Sequence, residues 1–307
     1  MLGQRNARSM GGIVGHRRVC AGMLAILLTA TFGAAAGLPP ISDPPTGEQR
    51  PGKFVWADLV TPDVAVARRF YGELFSWSFA ELGTGSRAYT LAYAAGFPVA
   101  GMVQRAPHPE QERQSRWIAF MSVPDVAATA GRVAEQGGAV LIPARRVEGR
   151  GDMAILADPD GAPFGVVRSS SGDPDDYLPG FGDWIWALYQ SPDASGAAAF
   201  YQDIGGYAVV DDDRFEDTPH FMLVAGGYAR ASLAQIAAGR SGMRPDWLYF
   251  LRVRDVAATV ARAAALGGRV IVAPQARVLD GRIAVIADPG GAPVGLMEWD
   301  ESGAEGR

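Results

Sequence analysis

The chain repeats itself at a spacing of 130 residues, and this repeat constrains its fold more than any other feature of the sequence. The phrase ADPDGAP starts at residue 157, and ADPGGAP starts at residue 287. At the same shift, residues 56–77 align with residues 186–207, with Trp, Pro, Asp, Phe and Tyr in matching places. A repeat this long in a chain of 307 residues predicts two similar domains in tandem.

Each half contains a smaller unit that occurs twice. KFVWADLV (53–60) is a predicted strand, and the TPD after it predicts a helix with Thr61 as its N-cap and Pro62 at its first position. The pattern starts again with the predicted strand RWIAFMSV (116–123), after which Asp125 opens a second helix. Shorter strand candidates follow both helices. The predicted order is β-α-β-β-β, four times in the chain.

The first 36 residues have the composition of a secretory signal peptide. They carry four arginines and no acidic residue, and an apolar run at 21–37 contains three alanines at 34–36. This pattern predicts export with cleavage after Ala36. An uncleaved membrane anchor is the alternative, although the run is short for a membrane span. Cleavage would remove Cys20, the only cysteine, so the mature chain would form no disulfide.

Charge and composition outside this segment limit the partners of the protein. Removing residues 1–36 leaves 24 basic and 33 acidic residues, a net charge of −9. An acidic chain without basic clusters argues against nucleic acid or an anionic membrane surface as a partner. Pro-rich polar stretches at 37–52 and 169–182 predict linkers. The predicted domains are then 53–168 and 183–300, and self-association stays open.

The order of the elements resembles that of a known superfamily. With TPDVAVARRFYGELFSW after the first strand and DPDGAPFGVV at the close, the chain resembles the vicinal oxygen chelate superfamily of glyoxalases, extradiol dioxygenases and bleomycin-resistance proteins. The resemblance covers residues 53–168 and 183–299. It implies an α+β fold of two tandem glyoxalase-like domains, each with two βαβββ modules that form a cup-shaped mixed sheet with helices outside. It also implies a small-molecule site in each cup, which usually holds a divalent metal.

The resemblance places the metal ligands of the superfamily at positions where this chain has no ligand. Counting from the helix-opening Asp and from the DPDG-type turns gives Trp56, Ile118, Gly165, Trp186, Leu248 and Gly295. Indole, aliphatic side chains and glycine supply no donor to Zn²⁺, Fe²⁺ or Mn²⁺. His108 and His220 are the only histidines after residue 36, and no spacing pairs them. We therefore expect no metal and no other cofactor.

Strand alternation predicts which other side chains share the cups. Besides the six positions above, the predicted ligand-contacting residues are Asp58, Phe120, Gln190, Phe250 and Arg252. Aromatic residues with a few polar groups are typical of a small-ligand pocket. Simple core filling is the alternative for the aromatic residues, and a structural ion pair is the alternative for Asp58 and Arg252, which ionise. The acidic run Asp211–Asp213 lacks the pattern of a calcium loop and is predicted to be a solvated loop.

These observations favour an exported, metal-free protein that binds a small molecule. A lyase, isomerase or dioxygenase of the superfamily with relocated metal ligands, such as Asp58 with His220, is the first alternative. A metal-independent enzyme with Asp58 as general base is the second, because a desolvated carboxylate can be tuned for proton transfer. Fold kinship alone does not choose among the three.

Overall fold

A computed structural model describes residues 37–85, 88–107, 114–214, 218–237, 243–276 and 279–300. The predicted signal peptide, His108 and the predicted tail 301–307 lie outside these ranges. Of the helices within them, none combines the length and the apolar character that crossing a bilayer requires.

Domain 1 consists of two βαβββ modules that share one sheet. The first module contains β1 (Phe54–Thr61), α1 (Val64–Phe75), β2 (Ser78–Leu82), β3 (Tyr89–Ala94) and β4 (Phe97–Gln104). The second module contains β5 (Arg116–Ser122), α2 (Val126–Glu135), β6 (Ala139–Val147), β7 (Gly151–Ala157) and β8 (Pro163–Ser169). The strand order is β2-β3-β4-β1-β5-β8-β7-β6, with β1 and β5 antiparallel at the centre.

Domain 2 repeats this arrangement. Its first module contains β9 (Trp184–Ser191), α3 (Ala194–Gly205), β10 (Ala208–Asp211), β11 (His220–Ala225) and β12 (Tyr228–Gln235). Its second contains β13 (Asp246–Arg252), α4 (Val256–Ala265), β14 (Arg269–Val272), β15 (Ile283–Ala287) and β16 (Pro293–Met297). The strand order β10-β11-β12-β9-β13-β16-β15-β14 is that of domain 1. The structure therefore confirms the predicted fold of two tandem domains with paired modules.

The helices lie between the two sheets, and each sheet keeps one face free of helices. The main hydrophobic core joins all four helices to one face of both sheets, and α1 contacts α4 while α2 contacts α3. Two smaller clusters on the opposite faces contain no helical residue. We call these helix-free faces the cup of domain 1 and the cup of domain 2. Because the helices fill the space between the domains, both cups face outward.

The start of α1 differs from the prediction. Asp63, not Thr61, is the N-cap, and its carboxylate accepts a hydrogen bond of 2.9 Å from the backbone N–H of Val66. Thr61 instead ends β1, and its Oγ1 accepts hydrogen bonds from Ser115 Oγ and from the N–H of Asp63. The other three helices also begin after an Asp N-cap. The Asp of each unit therefore has the capping role that the sequence analysis gave to Thr61.

Both segments that were predicted as linkers pack against the domains instead of extending freely. In the first segment, Ile41 is buried in the cup cluster of domain 1, and the N–H of Leu38 donates to the carbonyl of Glu148 at 3.0 Å. In the second, Asp173 is buried and accepts hydrogen bonds from Ser122 Oγ and from the N–H of Arg50. The first segment therefore covers part of the cup of domain 1.

Candidate functional site

The cup of domain 1 is filled by its own side chains. All residues of β1 after the first are buried. Trp56, Ile118 and Phe120, which lie on the paired central strands, belong to one buried cluster, and Ile41 and Leu38 pack onto it from the segment before β1. The sequence analysis identified three of these side chains as cup residues, and the structure places them together in a closed core.

Asp58 lies at the centre of a buried polar group in this cup. Its Oδ1 accepts a hydrogen bond of 2.8 Å from Trp56 Nε1 and one of 2.6 Å from the hydroxyl of Tyr89. Burial raises the pKa of Asp58, and the two hydrogen bonds and the charge of Arg150 oppose that rise. With its Oδ1 engaged twice and only 4% of the residue exposed, Asp58 serves here as an internal acceptor.

Arg150 completes the group, and the sequence analysis did not identify it. It lies in the turn between β6 and β7, is 1% exposed, and its guanidinium carbon is 3.6 Å from the ring centroid of Trp56. Its three side-chain nitrogens have no hydrogen-bond partner among the described residues. Buried arginines are normally paired. The cup of domain 1 thus contains a cation whose hydrogen-bonding capacity is unused.

Gly165 and Gly295, two of the positions that the resemblance assigns to metal ligands, make room for aromatic rings. Gly165 pairs with Phe120 across β5 and β8, and a β-carbon at Gly165 would overlap the Phe120 ring. Gly295 and Phe250 have the same relationship in domain 2. The glycine after each DPDG-type turn is therefore required by the phenylalanine on the neighbouring strand, and the ring occupies the space that a longer side chain would need.

The cup of domain 2 is open where the cup of domain 1 is closed. In β9, the cup residues Trp186, Leu188 and Gln190 are all partly exposed, whereas every equivalent residue of β1 is buried. In β11, five of the six residues are partly exposed, whereas five of the six in β3 are buried. Below them, Leu248 and Phe250 form a buried floor with Val285 and Met297. Of the two predicted cups, the second presents an accessible apolar surface.

The indole N–H of the central tryptophan has a different hydrogen-bond acceptor in each cup. Trp56 donates to Asp58, which pairs with Gly101 on β4, and a β-carbon at Gly101 would overlap both Asp58 and Tyr89. In domain 2 the paired positions are Leu188 and Ser232, and Trp186 Nε1 donates to Ser232 Oγ at 3.0 Å. Domain 2 has Leu and Ser where domain 1 has Asp and Gly. Its cup therefore lacks the buried carboxylate and is more apolar at this point.

Gln190 and Arg252, the other predicted contacts in domain 2, differ in position. Gln190 is partly exposed near the end of β9, opposite Asp246. Arg252 donates to the backbone carbonyls of Pro179 and Trp299, at 2.8 and 3.0 Å, and its guanidinium carbon lies 4.6 Å from the ring centroid of Phe181. Its guanidinium therefore holds the segment between the domains, which is a structural role.

A second ionisable pair lies beside the cup of domain 2. His220 Nδ1, at the start of β11, is 3.1 Å from Asp212 Oδ2, and Asp212 also accepts two hydrogen bonds of 2.7 Å from Arg214. Burial lowers the pKa of His220, and Asp212 partly opposes that change. The prediction that Asp211–Asp213 forms a solvated loop is wrong for Asp212, which is buried and bound to Arg214.

A cleft of about 590 Å³ lies between the domains, lined by the start of α1 and the turn after β15. The carboxylate of Asp288 on its wall accepts hydrogen bonds from the hydroxyl of Tyr71 at 3.2 Å and from the N–H of Ala292 at 2.8 Å. Burial raises the pKa of Asp288 to about 6. Because Tyr71 belongs to domain 1, this carboxylate connects the domains.

The positions that the resemblance assigns to metal ligands do not fit a transition metal. Trp56, Ile118 and Gly165 lie on the neighbouring strands β1, β5 and β8, but Trp56 uses its only polar atom to donate to Asp58. The space beside Gly165 belongs to a phenyl ring. Asp58 and His220 belong to different sheets, so they cannot form the relocated set considered above. Across the described ranges, no three His, Cys, Asp or Glu side chains gather as ligands.

The fold and the duplicated cups define a class of protein that the family comparison identifies. A glyoxalase-like domain model matches residues 55–167 and again residues 186–297. The chain belongs to this glyoxalase-like family, in an arrangement of two tandem domains. This agrees with the resemblance to the vicinal oxygen chelate superfamily.

Relatives with similar sequences match most of this chain over nearly the whole of their own length. "Putative glyoxylase CFP32" of Mycobacterium tuberculosis is 30% identical over 259 residues, which cover 83% of this chain and 98% of the relative. The anthracycline biosynthesis protein DnrV of Streptomyces peucetius is 32% identical over 266 residues, with 82% and 94% coverage.

Two solved structures show the same fold at low sequence identity. Homoprotocatechuate 2,3-dioxygenase from Brevibacterium fuscum matches with a TM-score of 0.55 and 14% identity, covering 83% of each chain. The Mn(II)-bound glyoxalase from Novosphingobium aromaticivorans matches with a TM-score of 0.50 and 14% identity, covering 81% of this chain and 83% of that one. At this identity, the likeness concerns the fold.

Proposed function

We propose that the protein binds a small, largely apolar molecule in the cup of domain 2. The observation that carries this proposal is the difference in exposure between equivalent residues of the repeat. Trp186 and Leu188 are partly exposed, whereas Trp56 and Asp58 are buried at the same positions of domain 1. Large apolar side chains that stay accessible on a concave surface mark a site for a partner or ligand.

The chemistry of this cup favours a neutral ligand with an aromatic or aliphatic body. Its floor is apolar and includes Leu248 and Phe250, and the partly exposed indole of Trp186 offers a flat surface. The partly exposed Gln190 supplies a neutral amide that could orient a hydroxyl or carbonyl group. The name of DnrV, an anthracycline biosynthesis protein, is compatible with a small-molecule role for this family.

Binding in this cup would be independent of a metal. The position equivalent to Trp56 is Trp186, whose indole nitrogen donates to Ser232. Gly295, another position that the resemblance assigns to a metal ligand, is covered by the Phe250 ring. A ligand would therefore be held by apolar contact and neutral hydrogen bonds, and a chelator should leave its affinity unchanged.

Calorimetry with neutral aromatic compounds of one to three rings, starting with 2-naphthol, tests the proposal. The wild-type protein should bind at least one of them with one site per chain. Trp186→Ala should weaken that binding at least tenfold, because it removes the largest accessible ring of the cup. Phe97→Ala is the matched control, since Phe97 is 68% exposed and lies in β4 of domain 1. It should bind as the wild type does.

A second copy of the chain is the competing occupant of this apolar face. Sedimentation analysis of the wild type and of Leu188→Asp separates the two cases. If the wild type is a dimer and Leu188→Asp is a monomer, while no compound binds, the face is an interface and the ligand proposal is wrong. If the wild type stays monomeric and binds a compound, the proposal stands.

A metal-independent enzyme is the second candidate, because His220 lies next to Asp212 at the start of a cup strand. A carboxylate at Nδ1 would orient the imidazole and leave Nε2 as a proton acceptor, as in other His–carboxylate pairs. Turnover of a bound compound that is lost in His220→Gln but kept in Phe97→Ala would support this function. Unchanged turnover in His220→Gln would exclude His220 as the base.

We also propose export. The arginines, apolar run and alanines of residues 1–36 support it. N-terminal sequencing of the protein from its native host should start near Gly37. A chain that keeps Met1 and stays in the membrane fraction would favour the anchor, and one that keeps Met1 in the cytoplasm would contradict export.

A further inference from the structure

Arg150 is the buried charge that the fold leaves without a hydrogen-bond partner. It is 1% exposed, and none of its Nε, Nη1 or Nη2 atoms makes a hydrogen bond to the described residues. Its guanidinium carbon lies over the face of Trp56, 3.6 Å from the ring centroid. A cation–π contact of this kind leaves the in-plane N–H groups free, because they point along the ring instead of into it.

The repeat gives Arg150 a counterpart in domain 2 whose surroundings are different. Gly149-Arg150 directly before β7 recurs as Gly281-Arg282 directly before β15, but Arg282 is partly exposed and its Nε donates to the carbonyl of Leu279 at 3.3 Å. A buried guanidinium whose N–H groups make no hydrogen bond is unfavourable even with the charge of Asp58 nearby, and a ligand could supply the missing acceptors. The guanidinium of Arg150 is a planar fork of hydrogen-bond donors. The two oxygens of a carboxylate match this fork and can accept two of its hydrogen bonds.

We propose that the guanidinium of Arg150 binds the carboxylate of a small organic acid inside the cup of domain 1, a site separate from the one proposed in domain 2. A carboxylate fits better than a phosphate for two reasons. It would bring one negative charge close to Asp58, whereas a phosphate would bring two. The surrounding Ile118 and Phe120 also favour an acid with an apolar body.

The segment before β1 covers this site, so the ligand would enter by displacing it. The N–H of Leu38 bonds to the carbonyl of Glu148, two residues from Arg150, and Ile41 is buried in the same cluster. A β-carbon at Gly149 would overlap the carbonyl of Leu38, which shows how closely the segment lies on the turn that carries Arg150. Movement of residues 37–46 would open the cup without changing the sheet.

Thermal unfolding of the full chain with sodium benzoate, sodium acetate or inorganic phosphate, at constant ionic strength set with sodium chloride, tests the proposal. Benzoate should raise the unfolding temperature of the wild type in a saturable way, and phosphate should not. Arg150→Met should abolish the effect. Arg150→Lys should raise the benzoate concentration that gives half of the maximal shift at least tenfold, because an ammonium group cannot form the two-pronged contact. Trp186→Ala should keep it, because the site in domain 2 is not involved.

Arg146→Met is the matched control, since Arg146 lies four residues away and is exposed, with only a long ion pair to Asp152. It should respond to benzoate as the wild type does. The proposal is overturned if no carboxylate stabilises the wild type, if phosphate alone does, or if Arg150→Met keeps the response. Should Arg150→Met fail to fold, the wild-type titration and Arg150→Lys still decide the question.

Discussion

The hydroxyl of Tyr201 in domain 2 donates a hydrogen bond of 2.7 Å to the carboxylate of Asp158 in domain 1. The repeat contains the reciprocal contact, in which Tyr71 of domain 1 donates to Asp288 of domain 2. Asp158 and Asp288 are the first Asp of the two DPDG-type turns. Each repeat therefore contains a DPDG-type turn because each of the two turns anchors a helix of the other domain.

Each tyrosine also accepts a hydrogen bond from a buried indole, so its loss should destabilise the chain. Trp247 donates to Tyr201 and Trp117 donates to Tyr71, both at 2.8 Å. Tyr201→Phe leaves the indole and the carboxylate short of a partner, and we expect it to lower the free energy of unfolding by about 2–3 kcal/mol. Urea unfolding measures this change.

Two comparisons make that prediction specific. Tyr71→Phe should be milder, at about 1–2 kcal/mol, because its bond to Asp288 is longer, 3.2 Å against 2.7 Å. Tyr228→Phe alters an exposed tyrosine and should change stability by less than about 0.5 kcal/mol. Equal effects of all three substitutions would mean that the contacts between the domains contribute little.

The raised pKa of Asp288 predicts a pH dependence of stability with a definite sign. Burial raises its pKa from 3.8 to about 6 in the folded protein. The folded state therefore holds the proton more tightly than the unfolded state, and this group's stabilising contribution, fully present below about pH 4, is lost as the pH rises through 6. The expected loss is about 2–3 kcal/mol.

Asp288→Asn isolates this effect, because its side chain does not titrate. The free energy of unfolding, measured in urea from pH 4 to pH 8, should fall more steeply with pH in the wild type than in the variant. Other buried carboxyls with a raised pKa, such as Asp183, are present in both proteins and cancel in the difference. Parallel curves would show that Asp288 titrates normally.

Gly165 should tolerate no side chain while the Phe120 ring lies beside it. Gly165→Ala would force the ring or the strand to move, at a cost of about 2–3 kcal/mol. The double variant Gly165→Ala with Phe120→Leu should recover part of that loss. Gly131→Ala, in α2 with open space around it, should stabilise the protein by about 0.5–1 kcal/mol. Denaturant unfolding compares the four proteins.

Purified protein should contain no stoichiometric transition metal, because Trp56, Ile118 and Gly165 offer no donor where the superfamily holds its ligands. Elemental analysis should find far less than one equivalent of Fe, Zn, Mn or Ni per chain. The unfolding temperature should be the same with and without a chelator. One equivalent per domain, removed together with an activity, would contradict this account.

The sequence predicted the fold well, because the repeat and the strand periods act over many residues. It located β1, α1 and the capping role of Asp125, and the alternation that puts Trp56 and Asp58 on one face. It did not locate β2, whose residues are mostly exposed or half-buried and so lack a clear apolar period. It also assigned the first N-cap to Thr61, where Asp63 competes for the same role.

The candidate sites were harder to predict, because they depend on which surfaces cover the cups. The sequence could not show that the segment around Ile41 closes the cup of domain 1 and leaves that of domain 2 open. Arg150 lies in a turn, where an arginine is usually solvated, so nothing local marks it as buried. One signal was available: at the 130-residue shift Asp58 aligns with Leu188, which already indicates two chemically different cups.

Fluorine NMR of protein labelled with 5-fluorotryptophan tests the central proposal most directly, because all seven tryptophans report separately. The Trp186 signal is assigned with Trp186→Phe, and the Trp56 signal with Trp56→Phe. On titration with 2-naphthol, or with the tightest neutral compound from calorimetry, the Trp186 signal should shift to saturation while the Trp56 signal stays in place. A bound compound that leaves the Trp186 signal unchanged would contradict a binding site in the cup of domain 2.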